Sequence, residues 1–195
     1  MNYYISDTHL GHENIVKHDA ASGARNFSSI EEHDNLIIQN WNNVVTPRDN
    51  IYILGDFSWL YARETENIIK KLNGSKFLIK GNHDRWCKDG ACKKLFQGIY
   101  DYKSINDNGR TVVMSHYPIY AWPGQLRGAI HLYGHVHNNM DNEFYQKAMI
   151  ELNNAFKIRD GERYRPFTAI NVGCMLPYMD YTPRTLDELL DQIVI

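Results

Sequence analysis

Five short apolar, β-rich runs, at residues 3–5, 51–54, 77–79, 112–114 and 130–133, are each followed within a few positions by aspartate, asparagine or histidine. Runs this short, mostly apolar and bounded by Gly, Ser or Asp, predict buried strands. Helical patterns separate the first three, so these strands belong to α/β units, whose functional groups gather at the carboxyl edge of the sheet. The residues placed there are Asp7 and His9, Asp56, Asn82, His83 and Asp84, His116, and His135 with His137. Such a donor set along one edge points to a hydrolase built around two metal ions.

A helix is expected over 29–44, opened by the capping-box pair Ser29 and Glu32 and carrying Ile30, Ile37, Trp41 and Val44 on one face. His33 lies on that same stripe and reads as a core or boundary histidine. A second helix is expected over 60–72, with Ala62, Ile69 and Leu72 inward and a stop at Asn73-Gly74. Asp107-Asn108-Gly109 between β-type runs at 100–105 and 110–115 predicts a hairpin, and so an antiparallel component of the sheet. Residues 138–142 read as loop, 143–156 fit helix or strand equally, and 159–165 read as a turn. A last helix, begun near Pro183 and carrying Leu186, Leu189, Leu190 and Ile193, is expected to pack on the core. With no internal repeat and no Gly/Pro/Ser linker, residues 1–195 are expected to form one domain, long enough to bury roughly 70 % of the unfolded surface.

Charge excludes some functions. Lys+Arg 21 against Asp+Glu 23 leaves a net −2, which argues against binding extended nucleic acid through a broad basic field but leaves room for a local basic patch. Cys87, Cys92 and Cys174, odd in number and irregular in spacing, suit reduced cytosolic thiols, and a zinc pair from Cys87 and Cys92 is the weaker reading. The strand-like opening at Met1, the lack of an export signal, the lack of an apolar run of about 20 residues and a mean hydropathy of −0.51 predict a cytoplasmic protein with no membrane partner.

Two divalent ions held about 3.5 to 4 Å apart need a shared carboxylate, with imidazoles and neutral oxygens completing each shell. Asp7-Thr8-His9, read as extended, puts its first and third side chains on one side, and His135-Val136-His137 repeats the device. Gly55, Gly81 and Gly134 stand directly before Asp56, Asn82 and His135, where the chain must turn sharply and approach the ions. Any one of these short motifs is commoner as a turn or a cap. All of them, in order, are not.

Together, Asp7-x-His9, Gly55-Asp56, Gly81-Asn82-His83-Asp84, His116 and Gly134-His135-x-His137 resemble the five motifs of the calcineurin-like metallophosphoesterases. Trp41-Asn42 and Asn171-Val172-Gly173 are similar to the small bacterial and phage members. The resemblance implies an α/β fold, a β-sandwich of mixed sheets flanked by helices, with a dinuclear metal site at the strand C-terminal edge. It implies that Asp7, His9, Asp56 and His137 hold one divalent ion, and that Asp56 bridges to a second held by Asn82, His116 and His135. Manganese or iron is expected before zinc or nickel, all of which such ligands accept. It further implies a bridging hydroxide that attacks phosphorus in line, His83 as general acid, and Asp84 orienting the His83 ring.

The substrate is less constrained. Gly55-Asp56-Phe57-Ser58-Trp59 lacks the arginine that follows this motif in the protein serine/threonine phosphatases, which disfavours a protein substrate. A phosphodiester of a small nucleotide or nucleic acid is the first expectation, with His12, Arg85, Trp122 and Arg127 as substrate contacts: Arg85 through a phosphate fork and Trp122 by stacking a base. The alternatives are a phosphomonoesterase and a non-catalytic metal-binding scaffold of the same fold. His18 and His131, outside the motifs, read as structural. Metal identity and oligomeric state stay open.

Overall fold

The computed structural model describes residues 1–18 and 25–192, without the side chain of His18. The first sheet is parallel through β1 (Asn2–Ile5), β2 (Asn50–Ile53), β3 (Ser75–Ile79) and β4 (Phe96–Tyr100), in the spatial order β4-β3-β2-β1. The second runs β5 (Tyr102–Asp107), β6 (Arg110–Ser115), β7 (Ile130–Tyr133), β8 (Ala169–Asn171). Its β5–β6 pair is antiparallel and the other two pairs are parallel. A two-residue strand, β9 (Arg184–Thr185), closes the first sheet antiparallel to β1.

The second sheet is a sandwich partner because its side chains alternate. Val112 and Met114 of β6, with Ile130 and Leu132 of β7, join Tyr4, Ile5, Ile51, Ile53 and Leu78 in the main core. Val113, one residue out of step, belongs to a second cluster with Trp122, Ala129, Met149 and Phe167. Both faces of β6 and β7 are therefore covered, which is why residues 112–114 run apolar without alternation and His131 is fully buried in β7.

The short helices are α1 (Ile15–His18), α4 (Gly90–Lys93) and α6 (Leu186–Asp191), and the longer ones α2 (Ile30–Val44), α3 (Ala62–Ile69) and α5 (Met140–Asp160). Helix α2 buries His33, Ile37 and Trp41. Its cap is half of the expected box: Ser29 accepts from the Glu32 amide, but the Glu32 carboxylate accepts from Ser28 instead. Helix α3 ends before Gly74, whose φ of +89° makes the turn into β3. The α6 cap is a full box of Thr185 and Glu188 and follows β9, and Ile193 lies outside the described residues.

Two sequence expectations change. The run 100–105 is broken at Asp101: Tyr100 ends β4 in one sheet and Tyr102 starts β5 in the other, so the hairpin belongs to the second sheet. Its turn is Asn108-Gly109, with φ of 50° and 84°. Residues 143–156, open between helix and strand, lie within the 21-residue α5, which also takes in 140–142, expected as loop, and 159–160, expected as turn; Asn139 caps it, its side chain accepting from Asp141 and Asn142. Among the described residues no helix is long and apolar enough to cross a membrane.

Candidate active site

The parallel strands of both sheets end at one edge, and the chain leaves each on a sharp turn. Asp7 and His9 follow β1, Asp56 follows β2, Asn82, His83 and Asp84 follow β3, His116 follows β6, and His135 and His137 follow β7. The segments after β1 and β7 are not extended. Asp7, His9, Asp56, His135 and His137 have φ of 55°, 46°, 49°, 70° and 44°. They are five of the eight non-glycine residues with positive φ among the described residues, and such conformations, at about 1 to 3 kcal/mol each, persist only where the surroundings hold them. Two glycines make room. A Cβ at Gly81 would overlap the Asp56 carboxylate, and one at Gly134 would overlap Ser6 and Asp7.

Two donor clusters result: Asp7 with His9 and His137, and Asp56 with His116 and His135. The His9 and His137 Nε2 atoms face each other at 3.2 Å, and His137 Nε2 is 3.8 Å from Asp7 Oδ1. Asp56 Oδ2 lies between the clusters, 3.8 Å from His9 Nε2 and 3.4 Å from His116 Nε2. Asn82 Oδ1 is 3.0 Å from His116 Nε2, which adds a neutral oxygen to the second cluster.

The electrostatics suit cations. Burial, with the Arg25 charge and the neighbouring imidazoles, pushes His9 well below its ordinary value, so the ring is neutral, and its Nδ1 is buried without a hydrogen-bond partner. Burial and the His116 charge lower His135 in the same sense. Burial opposes charge on His116 too, but Asp56 and Asp7 outweigh it and push that ring up to about 9. Carboxylates, imidazole nitrogens and an amide oxygen converge here, the donor chemistry that a pair of divalent ions requires, with His116 having to give up its proton to serve as a ligand.

Groups behind the ligands fix them. Ser6 Oγ donates to Asp7 Oδ2 at 2.7 Å, and the His135 amide donates to both Asp7 oxygens. Asn171 Nδ2 donates to the His137 carbonyl at 2.9 Å. Arg25, fully buried, donates to the Asp7 carbonyl at 2.5 Å and lies 2.6 Å from His33 Nε2. His33 Nδ1 is 2.8 Å from Asp34 Oδ1, and Asp34 Oδ2 accepts from the Gly11 amide. The stripe histidine of α2 is thus part of a relay supporting the Asp7 loop.

Asp84 differs from expectation. Its oxygens accept from the amides of Gly81, Asp56 and Phe57 at 2.8 to 2.9 Å, so it braces the loops after β2 and β3 and not the His83 ring. Burial raises its carboxyl to about 6 despite those bonds. What lies against the His83 ring is Trp59, with ring centres 4.2 Å apart. His12 stacks parallel on Trp59 at 3.9 Å, so the indole stands between two imidazoles.

At the other side of the mouth Tyr117 is 48 % exposed, its ring 4.3 Å from that of His135 and its hydroxyl 3.3 Å from Asn82 Oδ1. Trp122 is not available to stack a base: it is 5 % exposed, inside the second apolar cluster, and its Nε1 donates to Ala129 O. Arg85 is exposed beside Asn82, in a cleft of about 670 Å³. Arg127, at the end of the turn Gln125–Arg127, makes no hydrogen bond or ion pair with either cluster among the described residues. Cys87 and Cys92 are separate buried thiols, both raised by burial, and Cys92 donates to Ala62 O, so they act in packing. Sequence reasoning missed Trp59, Arg25 and Ser6. Only Trp59 gave a signal, as a large aromatic three residues beyond a ligand.

Two mixed sheets with paired carboxylate and imidazole clusters at a shared carboxyl edge define a metal-binding α/β sandwich. The family model for calcineurin-like phosphoesterases matches residues 3–170, and the chain belongs to that family. An uncharacterized protein of Methanocaldococcus jannaschii is 34% identical over 144 residues, 73% of this chain and 72% of that one. The gene 66 protein of Mycobacterium phage L5 is 29% identical over 170 residues, 71% of this chain and 78% of its own. The crystal structure of a protein of unknown function from Aquifex aeolicus is similar along 99% of both chains, at 30% identity and a TM-score of 0.69.

Proposed function

We propose that the protein is a two-metal phosphoesterase acting on a phosphodiester of a small nucleotide. The observation that carries this reading is Asp56 Oδ2 standing between the two donor clusters, within 3.8 Å of His9 on one side and 3.4 Å of His116 on the other. Asp7, His9, His137 and Asp56 would hold one ion, and Asp56, Asn82, His116 and His135 the other. Bound there, the ions would clamp the phosphoryl oxygens and acidify water. His83, which meets solvent at the mouth with its backbone tied to Asp56 Oδ1, is the group to protonate the leaving oxygen. Trp59 fixes its ring as a positioning residue.

The preference for a diester rests on what flanks Asp56. The loop after Asp56 presents Phe57, buried, and Trp59, stacked between histidines, and so brings no cation to a doubly charged terminal phosphate. The test is hydrolysis of bis-p-nitrophenyl phosphate and p-nitrophenyl phosphate by protein stripped of metal and refilled with Mn²⁺, with His83→Ala as control. Faster diester turnover, lost on stripping and in the variant, is expected. Faster monoester turnover reassigns the protein as a phosphatase, and stoichiometric metal uptake without turnover of either ester overturns the reading.

A further inference from the structure

Beside the second donor cluster opens a cleft of about 670 Å³ whose walls include Asn82 and Tyr117 on the metal side and Lys80, Arg85, Lys88 and Lys93 beyond them. Residues 76–94 carry six Lys and Arg against two Asp, in a chain whose net charge is −2. The local fold brings four of them, Lys80, Arg85, Lys88 and Lys93, to the cleft. The 3-10 turn Arg85–Lys88 buries Trp86 and Cys87, and positions three apart eclipse in such a turn, so Arg85 and Lys88 project together on its open side. Helix α4 adds Lys93.

Two acids, Asp84 and Asp101, line the same cleft and Asp89 lies beside it, and all three are already engaged. Asp84 is buried and engaged by three amides, and the Asp89 carboxylate accepts from Ala91 and Cys92 at the start of α4. Lys80 is paired with Asp101 at 2.6 Å. Arg85, Lys88 and Lys93 have no carboxylate within salt-bridge distance among the described residues. Exposed cations that fold toward one another without acids repel, and a multiply charged anion is the partner that relieves them.

We propose that this cleft seats a second, non-scissile phosphate of the substrate, which makes the substrate class a small nucleotide carrying a phosphate beyond the ester that is cut. The proposal rests on the phosphoesterase reading for its orientation, since Asn82 belongs both to the cleft wall and to the metal-facing set. Tyr117, half exposed between the two, offers a face for a base or sugar. Confinement of the charge to one cleft fits a short molecule better than a nucleic-acid track.

The test compares thymidine 5′-(p-nitrophenyl phosphate) with its 3′-phosphorylated counterpart, which keep one leaving group and differ by one phosphate, on the Mn²⁺-loaded protein and on the Lys88→Glu/Lys93→Glu variant. The 3′-phosphate is expected to lower KM by about tenfold, as one charge-assisted contact would, an advantage that shrinks with added salt and disappears in the variant. Equal KM values in the native protein, or an advantage that survives the double charge reversal, overturn the proposal. Titration calorimetry with thymidine 3′,5′-bisphosphate and thymidine 5′-monophosphate needs no turnover and separates the two readings. Tighter bisphosphate binding that the variant loses supports the cleft even if neither ester is hydrolysed, whereas equal binding rejects it.

Discussion

The two donor clusters are built from similar residues and set in opposite surroundings. Asp7 and His9 are 0 and 4 % exposed, backed by Ser6, Arg25 and Asn171, and covered by the His12 and Trp59 rings. The second cluster has an equally buried rear, with His116 at 1 % and Asp56 at 3 %, but its front is His135 and Asn82 under the half-exposed Tyr117, at the head of the basic cleft. The contrast teaches a division of labour: the first cluster is held from behind, while the second opens toward the basic cleft.

The strongest attempt to break that contrast is Asp56→Asn, because the shared oxygen serves both sides. Metal analysis is expected to find fewer than one ion per chain against two for the native protein on the two-metal reading, and diester turnover is expected to fall by about 10³-fold or more. Retention of one tightly held ion would show that the first cluster stands without the bridge. Next is His83→Ala, for which turnover falls about 10²- to 10⁴-fold with both ions retained, so that metal content and rate separate. Arg25→Met sharpens the comparison from behind: with the Asp7 carbonyl released, the first ion binds about 10- to 100-fold more weakly and the second stays, read from two-phase metal titration.

The smallest effect concerns pH and serves as the reference for the rest. Burial pushes His131 down to about 4, with its ring between Val113 O and the Ile119 amide. The unfolded chain takes up a proton below its ordinary 6.5 and the fold does not, so this stability is complete above pH 6.5 and is lost as pH falls toward 4. Urea melts of metal-free protein are expected to lose about 2 kcal/mol from this group between pH 7 and pH 5. His131→Gln removes that slope, and whatever pH dependence remains in the metal-loaded protein belongs to the clusters.

Residue chemistry was the legible part of the sequence. Five buried strands each ending in a donor left few folds open, and the order of donors along the chain survived into two spatial groups. Backbone conformation was not legible, because Asp7-Thr8-His9 read as extended is a sound local inference, and only the surrounding bonds hold Asp7 and His9 at positive φ. Helix α5 was hidden by its own surface. Its inner stripe, Tyr145, Met149, Leu152 and Phe156, has helical spacing, but Met140, Phe144, Ile150 and Ile158 are apolar and exposed and blur the period. The switch between sheets at Asp101 rests on one residue with no turn signal around it. Trp122 showed the same limit from another side, since an aromatic beside a ligand in sequence was turned away from it by the packing of Val113 and Phe167.

Trp59 also has an optical consequence. Of the four tryptophans, Trp41, Trp86 and Trp122 are 0 to 5 % exposed and will emit as apolar indoles, whereas Trp59, at 45 %, supplies the red edge of the emission. Its stack with His12 and His83 puts that red edge at the mouth of the site, so an occupant that displaces either ring changes the emission, readable in the native protein without a label.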